Sequence, residues 1–355
     1  MGYGLCATIG AGAPREQILG LGKSNSMSNT TSSDVIADRF GRRFDNLRVS
    51  LTAACNYACT YCVPNGKRLQ AAAYELSAAE MIRAVALLRQ TTGISKVRIT
   101  GGEPLLSPKF GDLLQGVMKL GLKDVSLTTN GQLLPRWSDD IIASGMGRIN
   151  VSLDTLDTDK FRDIARSGDL ATVLNGIDRM LEGGLRVKVN MVPMRRVNES
   201  QIVPMLEYCR ERGIELRFIE LMNMGHLRSS STYQNQFFSM DEILELISEQ
   251  YTFSRTDAPF DSTAVRFEIV DGGYFGVIAN ESEPFCRTCT RLRLSSNGHL
   301  YGCLSNAKSH DIRPLLEQSD ELAQPALREL LGQALQDKQD LSFKGETTVM
   351  KFIGG

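Results

Sequence analysis

Histidine is scarce in this chain. There are three in 355 residues, His226, His299 and His310, which excludes a histidine-rich metal site. No run of 18 apolar residues occurs, so no segment reads as a membrane-spanning helix. Net charge is nearly absent as well: 40 Lys and Arg stand against 41 Asp and Glu, a balance of −1. That balance argues against a duplex-binding face or a polybasic anchor and leaves room for a local basic pocket. No nucleic acid and no membrane are therefore expected as partners. The opening "MGYGLCATIGAGAP" lacks a basic n-region, so a signal peptide is not expected. A cytoplasmic location, where thiols stay reduced, follows. Residues 1–40 are rich in Gly, Ser and Asn and read as a flexible leader.

What is present is ordinary for a folded protein, with 42% hydrophobic and 23% charged residues. At about 150 residues per domain, the length suggests two domains or one barrel with an appendage. From Phe44, "LRVSLT" alternates as a strand and runs into Cys55. Ser77 to Glu80 carry a capping-box signature that opens a helix, with Gly93 as its stop. Strand "KVRIT" leads into Gly101-Gly102-Glu103-Pro104. Helix 107–120, strand "VSLTTN", helix 135–145, strand "RINVSLD", helix 171–184 and strand "RVKVNMV" follow. A helix capped by Asn198 and ending near Gly213, then strand "LRFIELM", complete six β/α units.

This alternation predicts an α/β fold with a parallel sheet over 41–225, open or a complete or partial barrel. A helix near 240–250 and strands near 265–278 belong to a smaller module over 226–355. In such folds the chemistry sits past the C-terminal ends of the strands. Here those ends carry the Cys loop, Gly-Gly-Glu-Pro, Thr128-Thr129-Asn130, Ser152 with Asp154, Asn190, and Glu220. Six polar ends in register indicate a lined pocket.

The eight cysteines are more telling. Cys6 and Cys209 stand alone, and Cys209 reads as a core thiol on an amphipathic helix. The other six form two triplets, and threes do not pair off as disulfides. Cys55-x3-Cys59-x2-Cys62 places three thiolates in one short loop. A tetrahedral zinc site wants four ligands, and no fourth Cys or His is near. A [4Fe–4S] cluster normally takes four Cys, so three leave one iron open, a catalytic arrangement. Cys286-x2-Cys289-x13-Cys303 repeats the pattern, with His299 as a competing fourth ligand for zinc.

The x3–x2 spacing, with Tyr61 before the third Cys, resembles the signature of the radical S-adenosylmethionine (SAM) superfamily. The glycine motif at 101–104 matches that family's second signature. The second triplet, with "FGR" at 40–42, "VRITGGEPLL", "LTTNG", "INVSLDTLD", "CTRLRLSSNG" and the final "GG", resembles the GTP 3′,8-cyclase family over residues 37–355. The resemblance implies a partial (β/α)₆ barrel, of the triosephosphate-isomerase kind, with a C-terminal cluster-binding module. It implies two [4Fe–4S] clusters, on Cys55, Cys59 and Cys62 and on Cys286, Cys289 and Cys303, with the first cleaving SAM. It implies that the resulting radical takes hydrogen from ribose C3′ of GTP, whose carbon then attacks guanine C8. The product would be 3′,8-cyclo-7,8-dihydro-GTP, passed to a cyclic pyranopterin monophosphate synthase in molybdenum cofactor biosynthesis. An electron donor is a further partner, and the sequence leaves room for a homodimer.

Carried over residue by residue, the resemblance places SAM at Tyr61, Gly102, Ser152 and Met222. It places GTP at Arg48, Arg98, Thr128, Lys188 and the stretch Arg291, Leu292 and Arg293. A triphosphate carries about four negative charges, which suits several arginines. The competing expectation for the strand cations, Arg217 above all, is ion pairing with Glu103, Asp154 and Glu220. The Gly354-Gly355 tail is expected to thread toward the site. One departure stands out: the family usually carries Asp-Arg before the first Cys, where this chain has Ala53-Ala54. A lost surface or loop salt bridge is expected there, with consequences for loop rigidity or docking of the donor. Two rivals stay open, a peptide-modifying twin-cluster enzyme and a non-catalytic iron–sulfur or zinc module.

Overall fold

Strands and helices alternate across residues 46–219 of the computed structural model, which describes residues 35–259 and 262–346. The expectations for the leader, Cys6 and the Gly-Gly tail lie wholly or largely outside the described residues. β1 (Asn46–Ser50), β2 (Lys96–Thr100), β3 (Asp124–Thr129), β4 (Arg148–Ser152), β5 (Arg186–Met191) and β6 (Glu215–Ile219) pair side by side in parallel. The crossovers carry α1 (Ala78–Thr92), α2 (Phe110–Met118), α3 (Leu134–Ala143), α4 (Thr158–Ala165) with α5 (Leu170–Glu182), and α6 (Ile202–Glu211). Ser77 starts α1 with the expected reciprocal capping box, and Gly93 ends it in the left-handed region at φ 76°.

Helix α4 was not expected; Asp157 starts it by accepting from the amides of Asp159 and Lys160 at 2.9 Å. Asn198 stands at the N-cap of the 3₁₀ turn that leads into α6, yet its side chain makes no capping bond. It is fully buried and joins two loops, donating to the carbonyls of Asp154 (2.9 Å) and Val192 (3.0 Å). Cys209 lies in the core on α6.

The sheet goes on beyond the six strands. After α7 (Ser231–Gln236) and α8 (Met240–Ser248) come β7 (Phe253–Thr256), β8 (Val265–Ile269) and β9 (Tyr274–Ile278). Then follow β10 (Arg291–Leu294), β11 (His299–Tyr301), β12 (His310–Asp311), α9 (Arg313–Leu316) and α10 (Asp320–Gln336). β9 pairs parallel with β6, and β10 pairs parallel with β1. The order β12-β11-β10-β1-β2-β3-β4-β5-β6-β9-β8-β7 gives twelve strands in one open sheet. The parallel arc therefore holds eight strands, two of them from beyond residue 225, and the partial barrel does not close. The described residues from Ile36 onward pack as one unit.

Alternation sorts the side chains of the arc. Leu47, Val49, Val97, Ile99, Val151 and Val189 are buried against the helices. Their neighbours Arg48, Arg98, Ser126, Asn150 and Lys188 take the other, concave face. Phe275 of β9 packs on Phe253 and Phe267 with ring centres 5.2 and 5.0 Å apart, which fastens the β7–β8 hairpin to the core.

Candidate active site

The two cysteine triplets lie at opposite ends of the same strands. Cys55, Cys59 and Cys62 occupy the loop after β1, past its C-terminal end. Cys286 and Cys289 come just before β10, whose first residue Arg291 is paired in parallel with Asn46 at the start of β1. Antiparallel β11 brings the chain back, since Tyr301 pairs with Arg293, so Cys303 returns to the Cys289 end. At about 3.3 Å per residue, the strands hold the triplets roughly 16 Å or more apart.

Backbone contacts build the stem of the first triplet. Gly102 N–H donates to Thr52 O (2.7 Å) and Glu103 N–H to Ala54 O (2.8 Å). A Cβ on Gly102 would stand 2.2 Å from Ala54 O, so only glycine fits. Ala53 is fully buried, which corrects the expectation of a surface position. Its amide donates to Glu75 Oε1 at 2.9 Å, and Thr52 Oγ1 donates to the same oxygen at 3.0 Å. Lys109 Nζ holds Glu75 Oε2 at 3.3 Å. The stem is thus braced by a carboxylate that the sequence reading missed.

Tyr61, Gly102 and Met222 sit past the C-terminal ends of strands and Ser152 is the last residue of β4, all at the Cys55 end. Tyr61 Oη donates to Asp154 Oδ2 (2.9 Å), and burial pushes that carboxyl up to about 6. Burial likewise pushes Glu103 to about 7, although it accepts from Asn130 N–H (2.8 Å) and Thr129 Oγ1 (2.7 Å). Burial lifts the Cys55 thiol to about 11, and burial with neighbouring charge lifts Cys62 to about 12. Such thiols become thiolates when a cation takes the proton's place.

At the other end, burial alone would raise the Cys289 thiol, yet Arg291 and Lys338 bring it well below the ordinary value. Burial and its two partner thiols raise Cys286 to about 11. His299 lies at the far end of β11 beside Asp311 and cannot complete this triplet. Each triplet is close enough for its thiols to feel one another, yet no three His, Cys, Asp or Glu among the described residues are grouped as around a single ion. A polynuclear cluster bridging three sulfurs fits both donor sets better than one zinc.

A cavity of about 890 Å³ opens at the N-terminal halves of the strands, the end at which β10 begins, and is lined among others by Arg48, Arg98, Arg148, Lys188, Arg217 and Arg291. Register sets Arg293, Arg48 and Arg98 side by side on β10, β1 and β2. Burial first, then Arg293, Arg98 and Arg291, depresses the Arg48 guanidinium well below its ordinary value. Burial and Arg217 bring Arg98 down to about 9. Burial brings Arg217 and Arg293 down to about 10.

The expected internal ion pairs with Glu103, Asp154 and Glu220 are not formed, because backbone amides and hydroxyls occupy those carboxylates. Arg217 Nη2 donates instead to Asn150 Oδ1 at 2.5 Å, and its buried Nε has no partner among the described residues. Lys188 pairs with Glu215 at 2.7 Å. Thr128 Oγ1 accepts from Asn150 Nδ2 at 3.4 Å. The Leu292 side chain is fully buried in the core, on the face opposite Arg291 and Arg293. Arg148 and Asn150 were missed, although "RINVSLD" shows the period-two polarity that marked their neighbours.

Comparison with known proteins accounts for this arrangement. A family model described as the Radical SAM superfamily matches residues 49–209, and one described as Molybdenum Cofactor Synthesis C matches 214–343. A GTP 3′,8-cyclase of Synechocystis sp. is 36% identical over 282 residues, covering 79% of this chain and 85% of that protein. That of Aquifex aeolicus is 36% identical, covering 81% of this chain and 90% of its own. That of Staphylococcus carnosus is 34% identical over 341 residues, covering 90% and 99%. Among solved structures, Streptococcus suis SuiB bound to S-adenosylmethionine has a TM-score of 0.55 at 16% identity, a likeness of fold alone, covering 79% of this chain. The chain spans 64% of SuiB's length. With these relatives along nearly all of its length, the chain belongs to the GTP 3′,8-cyclase family of radical SAM enzymes.

Proposed function

We propose that this chain cyclises GTP to 3′,8-cyclo-7,8-dihydro-GTP on the arginine-lined concave face of its sheet. The observation that carries this reading is the row of arginines on β10, β1 and β2. These half-buried and buried cations repel one another, and neither Arg48 nor Arg98 forms an ion pair with a carboxylate among the described residues, Asp124 acting on Arg98 only from a distance. Buried like charges are costly unless an anion arrives, and a triphosphate supplies about four negative charges.

Cys55, Cys59 and Cys62 would hold one [4Fe–4S] cluster, and Cys286, Cys289 and Cys303 a second. Bound at the first triplet, cluster and SAM together supply the 5′-deoxyadenosyl radical. The chain's own residues bind and orient. Tyr61, Gly102, Ser152 and Met222 surround the SAM end, with Gly102 keeping the backbone free of side chain. Arg48, Arg98, Arg291 and Arg293 hold the triphosphate, aided by Thr128, by Lys188 and by the backbone at Leu292. GTP filling the cavity would displace water from it, which protects a carbon radical from side reactions. We place the enzyme in the cytoplasm, fed by a separate electron donor and followed by the synthase that takes up its product. A homodimer is compatible with this arrangement.

The test is anaerobic. Clusters are reconstituted, dithionite and SAM are added, and 5′-deoxyadenosine is quantified with and without GTP. Strong GTP dependence with a cyclised guanosine product is expected. SAM cleavage indifferent to GTP would sink the substrate, and no cleavage by loaded protein would sink the enzyme.

A further inference from the structure

Lys338 follows the last turn of α10, and only 6% of it is exposed. Its ammonium donates to Cys289 Sγ (3.2 Å), to Arg291 O (2.8 Å) and to Gly302 O (2.9 Å). The Phe44 ring centre lies 5.1 Å away. No carboxylate pairs with it among the described residues; the sulfur it touches is that of Cys289, with Cys303 acting on it from farther off. A buried ammonium with no counter-charge is strongly disfavoured. Two carbonyl bonds fix the direction of the third, which aims the charge at sulfur.

The three acceptors frame the second triplet: Cys289 itself, the start of β10, and the residue before Cys303. The last turn of α10 is seated there tightly, since a Cβ on Gly302 would stand 1.7 Å from Ala334 O. Buried Arg42 clasps the same corner, donating to Cys286 O (2.8 Å) and Gln339 O (2.6 Å). Among the described residues the first triplet has no such cation. Its sulfur contacts are neutral donors, with Tyr57 N–H 3.4 Å from Cys55 Sγ.

We propose that Lys338 is a positioning residue that sets the reduction potential of the second cluster through a charged N–H···S bond to Cys289. This rests on the reading that the second triplet holds a cluster. An added electron makes the cluster sulfurs more negative, so a fixed ammonium donor favours the reduced form and raises the potential.

The full-length protein carrying Cys55→Ser, Cys59→Ser and Cys62→Ser isolates the second cluster for redox titration followed by electron paramagnetic resonance, with iron and sulfide measured alongside. Lys338→Met is expected to shift the midpoint to more negative potential, and Lys338→Arg to restore it toward the parent. Lys338→Gln keeps a neutral donor for the carbonyls and serves if the Met variant fails to hold its cluster. A loaded neutral variant with the parent's midpoint would overturn the proposal. So would loss of the cluster from both neutral variants, which marks a purely structural role. If the parent itself binds no iron at the second triplet, the two-cluster reading falls first and this inference with it.

Discussion

Arg48 and Arg98 stand opposite one another in register on β1 and β2, and neither forms an ion pair among the described residues. Like charges so placed oppose folding and favour an anion. Arg98→Met should weaken GTP binding about tenfold to a hundredfold, the worth of one charged hydrogen bond. The same change should leave thermal stability unchanged or raised. Calorimetric titration with GTP and a melting curve together decide; a destabilised variant with intact affinity would make Arg98 structural.

Arg291 lies nearer the second triplet, its guanidinium 4.5 Å over the Phe285 ring. Arg291→Ala or Arg293→Ala should weaken GTP binding and spare the reductive SAM cleavage reached at saturating GTP, which takes place at the far end of the strands. Yields of 5′-deoxyadenosine and GTP affinity are the two readouts. Equal loss of both would assign these arginines to the framework.

Gly102 and Gly302 offer a matched pair, because each abuts backbone that no rotamer change can move. An added methyl at either site should cost about 1–3 kcal/mol or more. Gly102→Ala should lower iron retention at the first triplet alone, and Gly302→Ala at the second alone. Iron content measured in each single-triplet background checks this. Parallel losses at both triplets would point to global unfolding.

Asp154 binds its proton more tightly in the folded chain, at about 6, than at its ordinary value of 3.8. Its stabilising share is therefore complete below the ordinary value and is lost as pH rises through the folded one. Glu103, at about 7, continues the fall. For Asp154 the loss is about 3 kcal/mol. Asp154→Asn, whose amide oxygen still accepts from Val192 N–H, should flatten this part of the profile in the cluster-free chain. Denaturant unfolding at several pH values would show it; parallel profiles for parent and variant would refute it.

Much of this was legible in the sequence because it is local. The capping box at Ser77, the cysteine spacings and the alternation in "LRVSLT" and "KVRIT" each specify their structure within a few residues. Arg48 and Arg98 could be placed on a polar strand face for that reason. What was missed depends on distant pairing. β10 is four residues long and finds β1 across more than 240 positions, so its place on the arc is set by tertiary contact. Lys338, at the end of an amphipathic helix, reads as a solvated cap until the fold brings Cys289 beneath it. Ala53 looked like a loop position because Glu75 and Gly102, which bury it, come from elsewhere.

The two family models meet between residues 209 and 214, in the turn from α6 to β6. The sheet ignores that seam. A chain stopped at residue 209 would lack β6, β9 and β10 and would bare the flanks of β1 and β5, rows of amides and carbonyls open to any passing strand. The remainder would carry one triplet and half an arginine row with nothing to lean on. Neither piece is a portable cassette: a gene cut at the boundary between its families would yield two sticky fragments rather than two smaller proteins.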